Sequence, residues 1–496
     1  MGVVKRQGIK MSVVSYFAVI VGAVNTLVIY PKTLEPNELG LVRFIIDSGI
    51  LLSPFIALGL GQISVKYFPQ FKDKENGHNG FFFFLLLSSL FGIGLFLLLC
   101  LLFNDFIYQF YETRDALISQ HLLYIIPFTC FYAFQKLFTS YTVNFKRITV
   151  PNIFNNLFFK LAVPALTIAY FFKYISLGNV LLGLSFAALF INLCHIAYIK
   201  SLGEWLVKPN FKKFNVPFLK EMGIFGAFGM LSTIGTFMVF KIDSLMLASF
   251  GSNTLTSSGI YTIPLFVANS ISIPTSAIWL IASPLVSQAW TDNNLPKIHE
   301  LYTKSSVNLL IIGVGMLALI WASIDDLFAI MPKGEIYSIG KYAVLILGIT
   351  KLFDMATSIN EQIIAYSKYY RFNFYALILL AVLTIVTNLI LIPKYEIIGA
   401  ALATMISIFL YNLLKFLFIL WKMKMHPFSL KLIWVLVFGI STYFISQLIP
   451  SIQLGLPDLI VKSIFIIIIY GLLIYFSKIS LDINNLVHSA LKKLKK

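Results

Sequence analysis

The stretch IPKYEIIGAALATMIS, residues 392–407, joins two long apolar segments through a proline, a Lys-Tyr pair and a glycine. A similar stretch, FFKYISLGNVLLGLS, occupies residues 171–185. The later stretch repeats the earlier one after 221 residues, with Lys394, Tyr395 and Gly399 standing where Lys173, Tyr174 and Gly178 stand before. A proline or glycine between apolar segments is typical of a turn between two helices. The repetition predicts that one helical unit occurs twice in the chain.

The composition excludes a soluble globular protein. Of the 496 residues, 58% are hydrophobic and only 12% are charged, whereas soluble domains carry about a quarter charged residues. We count about fourteen apolar segments along the chain, each long enough to cross a hydrocarbon core of roughly 30 Å. Because lipid offers backbone groups no hydrogen-bond partners, such segments must be helical. The sequence predicts an all-α polytopic membrane protein with about 14 transmembrane helices.

The excess of positive charge is unevenly distributed along the chain. If the N-terminus is placed in the cytoplasm and the segments alternate, the cytoplasmic connections hold 25 of the 38 Lys and Arg residues. This asymmetry follows the positive-inside rule and predicts that both termini are cytoplasmic. The net charge of +17 is therefore explained by topology and by contact with anionic membrane lipids, and a nucleic-acid partner is not expected.

The repeat predicts two six-helix lobes related by an axis along the membrane normal. The longest cytoplasmic connection, rich in Lys, Pro and aromatic residues, follows the sixth apolar segment and separates the two lobes. The predicted divisions are an N-terminal lobe at 1–205, a cytoplasmic linker at 206–219, a C-terminal lobe at 220–425, and two extra helices with a basic tail at 426–496.

The repeated stretch resembles a motif of a known transporter family. Ile392-Pro393 followed by Tyr395 and the run Gly399-Ala400-Ala401-Leu402-Ala403-Thr404 is similar to the O-antigen and polysaccharide flippases of the multidrug/oligosaccharidyl-lipid/polysaccharide exporter superfamily. Ile397 stands where these proteins usually have a first glycine, which is a mild departure. The start of the chain also resembles the family, with a basic end, the run YPKTLEPNELGL at 30–41 and the Leu58-Gly59-Leu60-Gly61 turn.

The resemblance implies both an architecture and a function. It implies a two-lobed helical bundle that encloses a central cavity. Such a protein moves an undecaprenyl-diphosphate-linked oligosaccharide or polysaccharide precursor across the bacterial cytoplasmic membrane by alternating access. The expected partners are the lipid-linked substrate, membrane lipids, and the glycosyltransferases and polymerase of the same pathway. The resemblance implies no enzymatic activity and no cofactor.

Charged residues inside the apolar segments are the candidate functional residues, because a charge at a helix centre costs about 2.5–3.5 kcal/mol. The predicted substrate-binding cations are Lys160, Lys241, Lys351 and Arg43. The predicted ion-coupling carboxylates are Asp47, Asp243 and Glu361, for Na⁺ or H⁺. A second interpretation is that these groups form structural ion pairs, since Arg43 and Asp47 share a helix face. Lys136 and Lys415 lie near helix ends and are expected to snorkel to the lipid headgroups.

Helix breakers mark the candidate hinges. Pro54, Pro264 and Pro274 interrupt apolar segments, and Gly399 follows the turn described above. Proline is tolerated in membrane helices where neighbours satisfy the freed carbonyl group. We expect these positions either to set packing angles or to bend during transport.

Other functions are open on the sequence alone. The chain has no Walker loop, no HExxH motif and no Cys/His cluster, so neither ATP hydrolysis nor a metal site is expected. No outer loop is long enough to hold a catalytic domain, which makes a polysaccharide polymerase the weaker alternative. An exporter of organic cations or drugs, or a flippase for lipid II, remains possible within the same architecture.

Overall fold

A computed structural model describes residues 17–450, 455–485 and 488, and its regular structure within these ranges is helical throughout. Among the described residues, 11 helices are long and apolar enough to cross a membrane, and two shorter apolar helices accompany them. The protein is therefore a multi-pass membrane protein. Both chain ends, including the basic residues that predict a cytoplasmic location for the termini, lie outside the described ranges.

The chain divides into two compact units, Met1–Gly259 and Ile260–Lys496. The main helices of the first unit are α1 Phe17–Thr33, α2 Pro36–Ala57, α3 Leu60–Phe71, α4 Phe81–Glu112, α5 Ile125–Val143, α6 Thr149–Phe171, α7 Leu177–Ser201 and α8 Val216–Phe250. Helix α8 packs on α2 and α3. The first unit therefore extends beyond the predicted linker at 206–219, which coincides with the irregular connection between α7 and α8.

Helix α9, Thr254–Ile271, crosses the boundary between the two units. The second unit then continues with α10 Ile273–Thr291, α11 Leu295–Ala322, α12 Lys341–Thr357, α13 Asn360–Ala365, α14 Arg371–Met423, α15 Leu430–Ser446 and α16 Leu456–Ser477. Helix α11 packs against α10, α12, α15 and α16 and occupies the middle of this unit. The last two helices thus pack on the second unit as a layer outside the predicted repeat.

The two stretches with the repeated sequence both form turns between apolar helices. In the earlier one, α6 ends, Lys173 adopts a left-handed conformation with φ of 61°, and Ser176 caps the start of α7. In the later one, Glu396 breaks the 53-residue helix α14 with φ of 46° and ψ of −120°. A Cβ on Gly399 would lie 2.2 Å from the Leu391 carbonyl oxygen, so only glycine fits this close approach.

Leu58 and Gly59 separate α2 from α3. Both adopt left-handed conformations, with φ of 45° and 72°. A Cβ on Gly59 would lie 2.0 Å from the carbonyl oxygen of Gly226 on α8, so glycine is needed both for the turn and for the contact. The predicted turn at residues 58–61 is therefore the point where the second apolar segment changes direction and meets α8.

An aromatic cluster packs the end of the first unit that holds the connection between α7 and α8. Its fully buried members include Tyr67, Phe68, Phe82 and Tyr141. The rings of Phe82 and Tyr141 stack with centroids 4.3 Å apart, and Phe68 meets Tyr141 edge-to-face. Such ring pairs add about 0.5–1.5 kcal/mol beyond the area that they bury. The cluster fixes α3, α5 and α8 relative to one another.

Candidate functional site

A buried ion pair joins two helices of the first unit. The Lys241 ammonium on α8 lies 2.7 Å from a carboxylate oxygen of Asp47 on α2. The Asp47 side chain is only 5% exposed, and that of Lys241 is 30% exposed. An isolated charge is costly in such surroundings, and pairing offsets part of this cost for both residues. Two predicted site residues are thus brought into direct contact.

Arg43 does not form the predicted ion pair with Asp47. Its guanidinium lies 5.6 Å from the centre of the Tyr30 ring, and the nearby carboxylate is held by Lys241. The i, i+4 spacing puts Arg43 and Asp47 on one face of α2, but a lysine from another helix competes for the carboxylate. Asp243 is buried two residues beyond Lys241 on α8.

Lys160 binds backbone rather than a carboxylate. Its ammonium donates a hydrogen bond of 2.7 Å to the carbonyl oxygen of Ala18 on α1. In return, the Asn25 side-chain amide donates to the carbonyl oxygen of Lys160 at 2.6 Å. Both helices contain π-helical turns here, at Asn25–Ile29 and Phe154–Phe158. Such turns are rare and occur frequently at functional sites.

The first unit contains a cavity of about 630 Å³ between α2, α3, α5 and α8. Its polar lining residues are Ser53, Gln62, Lys66, Lys136, Ser140 and Thr233. Among the described residues that line it, two are cationic and none carries a carboxylate. The Gln62 amide donates hydrogen bonds to Thr233 at 2.9 Å and to the Gly229 carbonyl oxygen at 3.3 Å. We call this space the lysine cavity.

The lysines of this cavity differ from the predicted cations. The sequence places Lys66 in a cytoplasmic connection, but α3 continues to Phe71 and carries Lys66 into the wall of the cavity. Lys66 lies over the Phe225 ring at 4.0 Å and at the same distance from the exposed carboxylate of Glu221. Lys136 lies 5.1 Å from the centre of the Tyr132 ring. A basic residue shortly before the end of an apolar segment is the signal that could have identified Lys136. Lys66 lies after the end of the predicted apolar segment, so this signal does not apply to it.

Predicted residues of the second unit form a polar cluster between α12, α13 and α14. Asn412 donates a hydrogen bond of 3.1 Å to the carboxylate of Asp354 and accepts one of the same length from Asn360. Lys415 lies 3.5 Å from the carboxylate of Glu361. The expectation that Lys415 snorkels is wrong, because this lysine is completely buried. Its position near a helix end does not reveal that its face of α14 points into the bundle.

Lys351 lies on α12 one turn before Asp354 and is half-buried. The Glu361 side chain is 52% exposed, so the polar cluster reaches the protein surface at this carboxylate. Within the described residues, no group of three or more His, Cys, Asp or Glu side chains is arranged to hold a metal ion.

The four predicted hinge residues have different local roles. Pro54 lies inside α2, whose last turn ends on its carbonyl oxygen. Pro264 lies inside α9. Pro274 stands in the first turn of α10, two residues after Ser272, which separates α9 from α10. Gly399 follows the break at Glu396.

An apolar cavity of about 1070 Å³ lies between α11, α12, α14 and α15 of the second unit. Its walls are aliphatic and aromatic, with Thr357, Asn412 and Ser429 as the polar residues among those described. Ala356 and Phe409 contribute to its lining. Asn412 belongs to both the polar cluster and this wall, so the two features are adjacent. We call this space the apolar groove.

Comparison with known proteins decides the family. Residues 5–290, more than half of the chain, match the family model described as polysaccharide biosynthesis protein. The chain belongs to the polysaccharide biosynthesis protein family. The chain is 24% identical to the uncharacterized membrane protein MJ1068 of Methanocaldococcus jannaschii, with 94% of this chain and 95% of the relative covered.

Two solved structures share the fold of this chain. A lipid II flippase, MurJ, in an inward closed conformation superposes with a TM-score of 0.70 at 14% identity, covering 94% of this chain and 98% of the other. An inward-facing multidrug-resistance MATE family transporter of the MOP superfamily superposes with a TM-score of 0.62 at 12% identity, covering 81% and 93%. The predicted membership of the MOP superfamily is confirmed.

Proposed function

We propose that this protein is a flippase that moves a lipid-linked oligosaccharide or polysaccharide precursor, carried on undecaprenyl diphosphate, across the bacterial cytoplasmic membrane by alternating access. The family match to polysaccharide biosynthesis proteins supports a role in this pathway. The fold that it shares with a lipid II flippase and a MATE transporter supports transport rather than catalysis. Glycosyltransferases that make the precursor and a polymerase that consumes it are the expected pathway partners.

The lysine cavity is the observation that carries this proposal. A diphosphate is a compact anion, and a lysine ammonium is a mobile point charge that suits phosphate. Lys66 and Lys136 supply two such charges, while Gln62, Thr233 and two serines supply hydrogen bonds of the kind that sugar hydroxyls need. The headgroup of a diphosphate-linked sugar therefore matches the cavity in charge and polarity.

The apolar groove supports a lipid as part of the substrate. A polyprenyl chain is apolar along its whole length, and its transfer out of water is favourable by about 25 cal/mol per Å² of buried surface. The groove offers the chain an aliphatic and aromatic wall. We infer that the tail lies in or along this groove while the headgroup moves through polar surroundings.

The proposed topology has fourteen crossings. The 11 long apolar helices and the two shorter ones give this number if α14 crosses twice, once on each side of the break at Glu396. With an even number of crossings, both termini lie on the same side, and the distribution of Lys and Arg puts them in the cytoplasm. The two six-helix lobes of the predicted repeat belong to the same proposal.

The charge of the lysine cavity also separates this proposal from its alternatives. An exporter of organic cations needs carboxylates facing its substrate, whereas the described lining of this cavity is cationic. Lipid II is itself a diphosphate-linked saccharide, so a lipid II flippase is the second candidate, and the fold shared with MurJ favours it. A polymerase would require catalytic side chains at the outer surface.

Ion coupling is a further part of the proposal. Asp47, Asp243 and Glu361 are the carboxylates proposed to couple export to a gradient of Na⁺ or H⁺. Asp47 is held by Lys241, so any ion that binds Asp47 has to displace this ammonium. Lys66 and Lys136 are then the main proposed contacts to the substrate. Four further cations are proposed as secondary contacts: Lys160, Lys241, Lys351 and Arg43.

The test is the location of lipid-linked repeat units in cells that lack this protein. We expect single repeat units to accumulate on the inner leaflet, and surface polysaccharide to be lost. Lys66→Glu with Lys136→Glu should reproduce this loss with normal membrane insertion, because the charge of the lysine cavity is reversed. Lys72→Glu, at an exposed position just after α3, is the matched control and should export normally. Accumulation on the outer leaflet would instead indicate a polymerase, and normal export by the double variant would contradict the role of the cavity.

A further inference from the structure

Lys415 is a lysine whose side chain is enclosed in the second unit. Its relative exposure is 0%, which is unusual because lysine is almost never completely buried without a partner. The residue lies on the part of α14 that follows the break at Glu396. A buried ammonium persists only where oxygen atoms or aromatic rings replace the water that it has lost.

The surroundings of this ammonium resemble the coordination shell of a free cation. The ammonium donates a hydrogen bond to the Tyr411 hydroxyl one turn earlier on α14 and lies 4.0 Å from the centre of the same ring. The Glu361 carboxylate approaches from α13 at 3.5 Å. Asn412, three residues before Lys415 on α14, holds the Asp354 carboxylate of α12 through a hydrogen bond of 3.1 Å. Three helices thus direct negative or polar groups to one point.

The nearby amide groups are oriented to fix these oxygens. Asn412 donates to a carboxylate oxygen of Asp354 at 3.1 Å, and its own carbonyl oxygen accepts from Asn360 at 3.1 Å. Asn360 and Asn412 are both buried. Such a chain of hydrogen bonds holds oxygen atoms in place independently of the lysine. We therefore expect the oxygen atoms of the site to keep their arrangement when the ammonium is removed.

We propose that Glu361, Tyr411, Asp354 and Asn412 form a site for a monovalent cation, and that the ammonium of Lys415 permanently occupies it. The chain thus supplies its own cation at this point of the second unit. In the wild-type protein, Na⁺ or K⁺ is excluded from the site because the ammonium already neutralises the carboxylates. The inference depends on the contacts of Lys415 and not on the identity of the transported substrate.

The exposure of Glu361 gives the site a route to the protein surface. Its side chain is 52% exposed, whereas the ammonium that it contacts is enclosed. If the lysine side chain is shortened, a cation can enter past Glu361 and replace the missing charge. The proposal also bears on coupling, because Glu361 then holds an internal ammonium, as Asp47 holds that of Lys241. A coupling ion at either carboxylate has to displace a lysine.

Chemical rescue tests this inference on the purified full-length chain. The thermal stability of Lys415→Ala is measured in sodium, potassium, methylammonium and choline chloride at equal ionic strength. Methylammonium reproduces the end of the deleted side chain, and choline is too large to enter. We expect Lys415→Ala to melt at a clearly higher temperature in methylammonium or Na⁺ than in choline, after the difference that the wild type shows between the same salts is subtracted. We call this corrected difference the response of the variant.

Two further variants make the test specific. Lys415→Met fills the space without a charge, so it should show no response to small cations. Lys415→Ala combined with Glu361→Gln should lose the response, because the carboxylate that receives the cation is gone. If the Lys415→Ala protein is present in cells or membranes only when methylammonium is supplied, the inference is supported. A Lys415→Ala chain that responds to no cation would overturn it.

Discussion

Lys241 and Asp47 form an ion pair of 2.7 Å that connects α8 to α2 within the first unit. The pair joins a helix after the predicted linker to a helix near the start of the chain, so it helps to hold the two together. Because the Asp47 side chain is 5% exposed, its charge is removed from water and depends on the lysine. If one partner is removed, the other charge stays buried without compensation. This costs far more than replacing both partners by apolar residues.

Asp47→Ala and Lys241→Met should therefore have unequal effects. Lys241→Met leaves the carboxylate buried without its partner, and we expect a loss of roughly 3 kcal/mol in the free energy of unfolding. Asp47→Ala leaves a lysine that can reorient toward solvent, so its cost should be smaller. The double variant should be more stable than Lys241→Met alone. Denaturant unfolding in detergent measures all three, and additive losses in the double variant would argue against a coupled pair.

Lys160 and Asn25 should act as a unit that holds α1 to α6. The ammonium of Lys160 binds the Ala18 carbonyl oxygen, and Asn25 binds the Lys160 carbonyl oxygen. Lys160→Met and Asn25→Ala should each increase hydrogen exchange at backbone amides of residues 17–24, because each removes a contact of α1. The double variant should show little more exchange than the single variant with the larger effect, since mutations within one contact network do not have additive effects. Unchanged exchange in both single variants would show that these two residues do not hold α1 to α6.

The helices and their turns were predictable because they follow from local rules. Runs of apolar residues define the spans, and the proline-to-glycine stretch at 392–407 marks the break at Glu396. The pairing of Asp47 with Lys241 was not predictable, because helical spacing relates residues on one helix and says nothing of which helix packs beside it. Lys415 was wrongly expected at the headgroups, because depth along a helix does not tell whether a face points to lipid or into the bundle.

The break in α14 should be sensitive to any side chain at Gly399. A Cβ there would lie 2.2 Å from the Leu391 carbonyl oxygen, and backbone atoms cannot move aside cheaply. Gly399→Ala should cost about 1–3 kcal/mol in the free energy of unfolding, as overpacking of a filled site does. Gly471→Ala on α16 is the matched control, because no atom lies within 4 Å of its added Cβ. Equal stability of the two variants would show that the break tolerates a side chain.

The apolar groove should discriminate between substrates by the length of their lipid chain. Ala356→Trp places a large ring in the groove wall, where small residues leave room between α11, α12 and α15. We expect this variant to transport a short-chain prenyl diphosphate sugar in proteoliposomes at the wild-type rate, but to transport the long-chain substrate at least tenfold more slowly. The short-chain substrate controls for folding, because a misfolded protein loses both activities. Equal loss of both transport rates would indicate general damage to the protein. Unchanged rates for both substrates would show that the lipid chain does not lie along the groove.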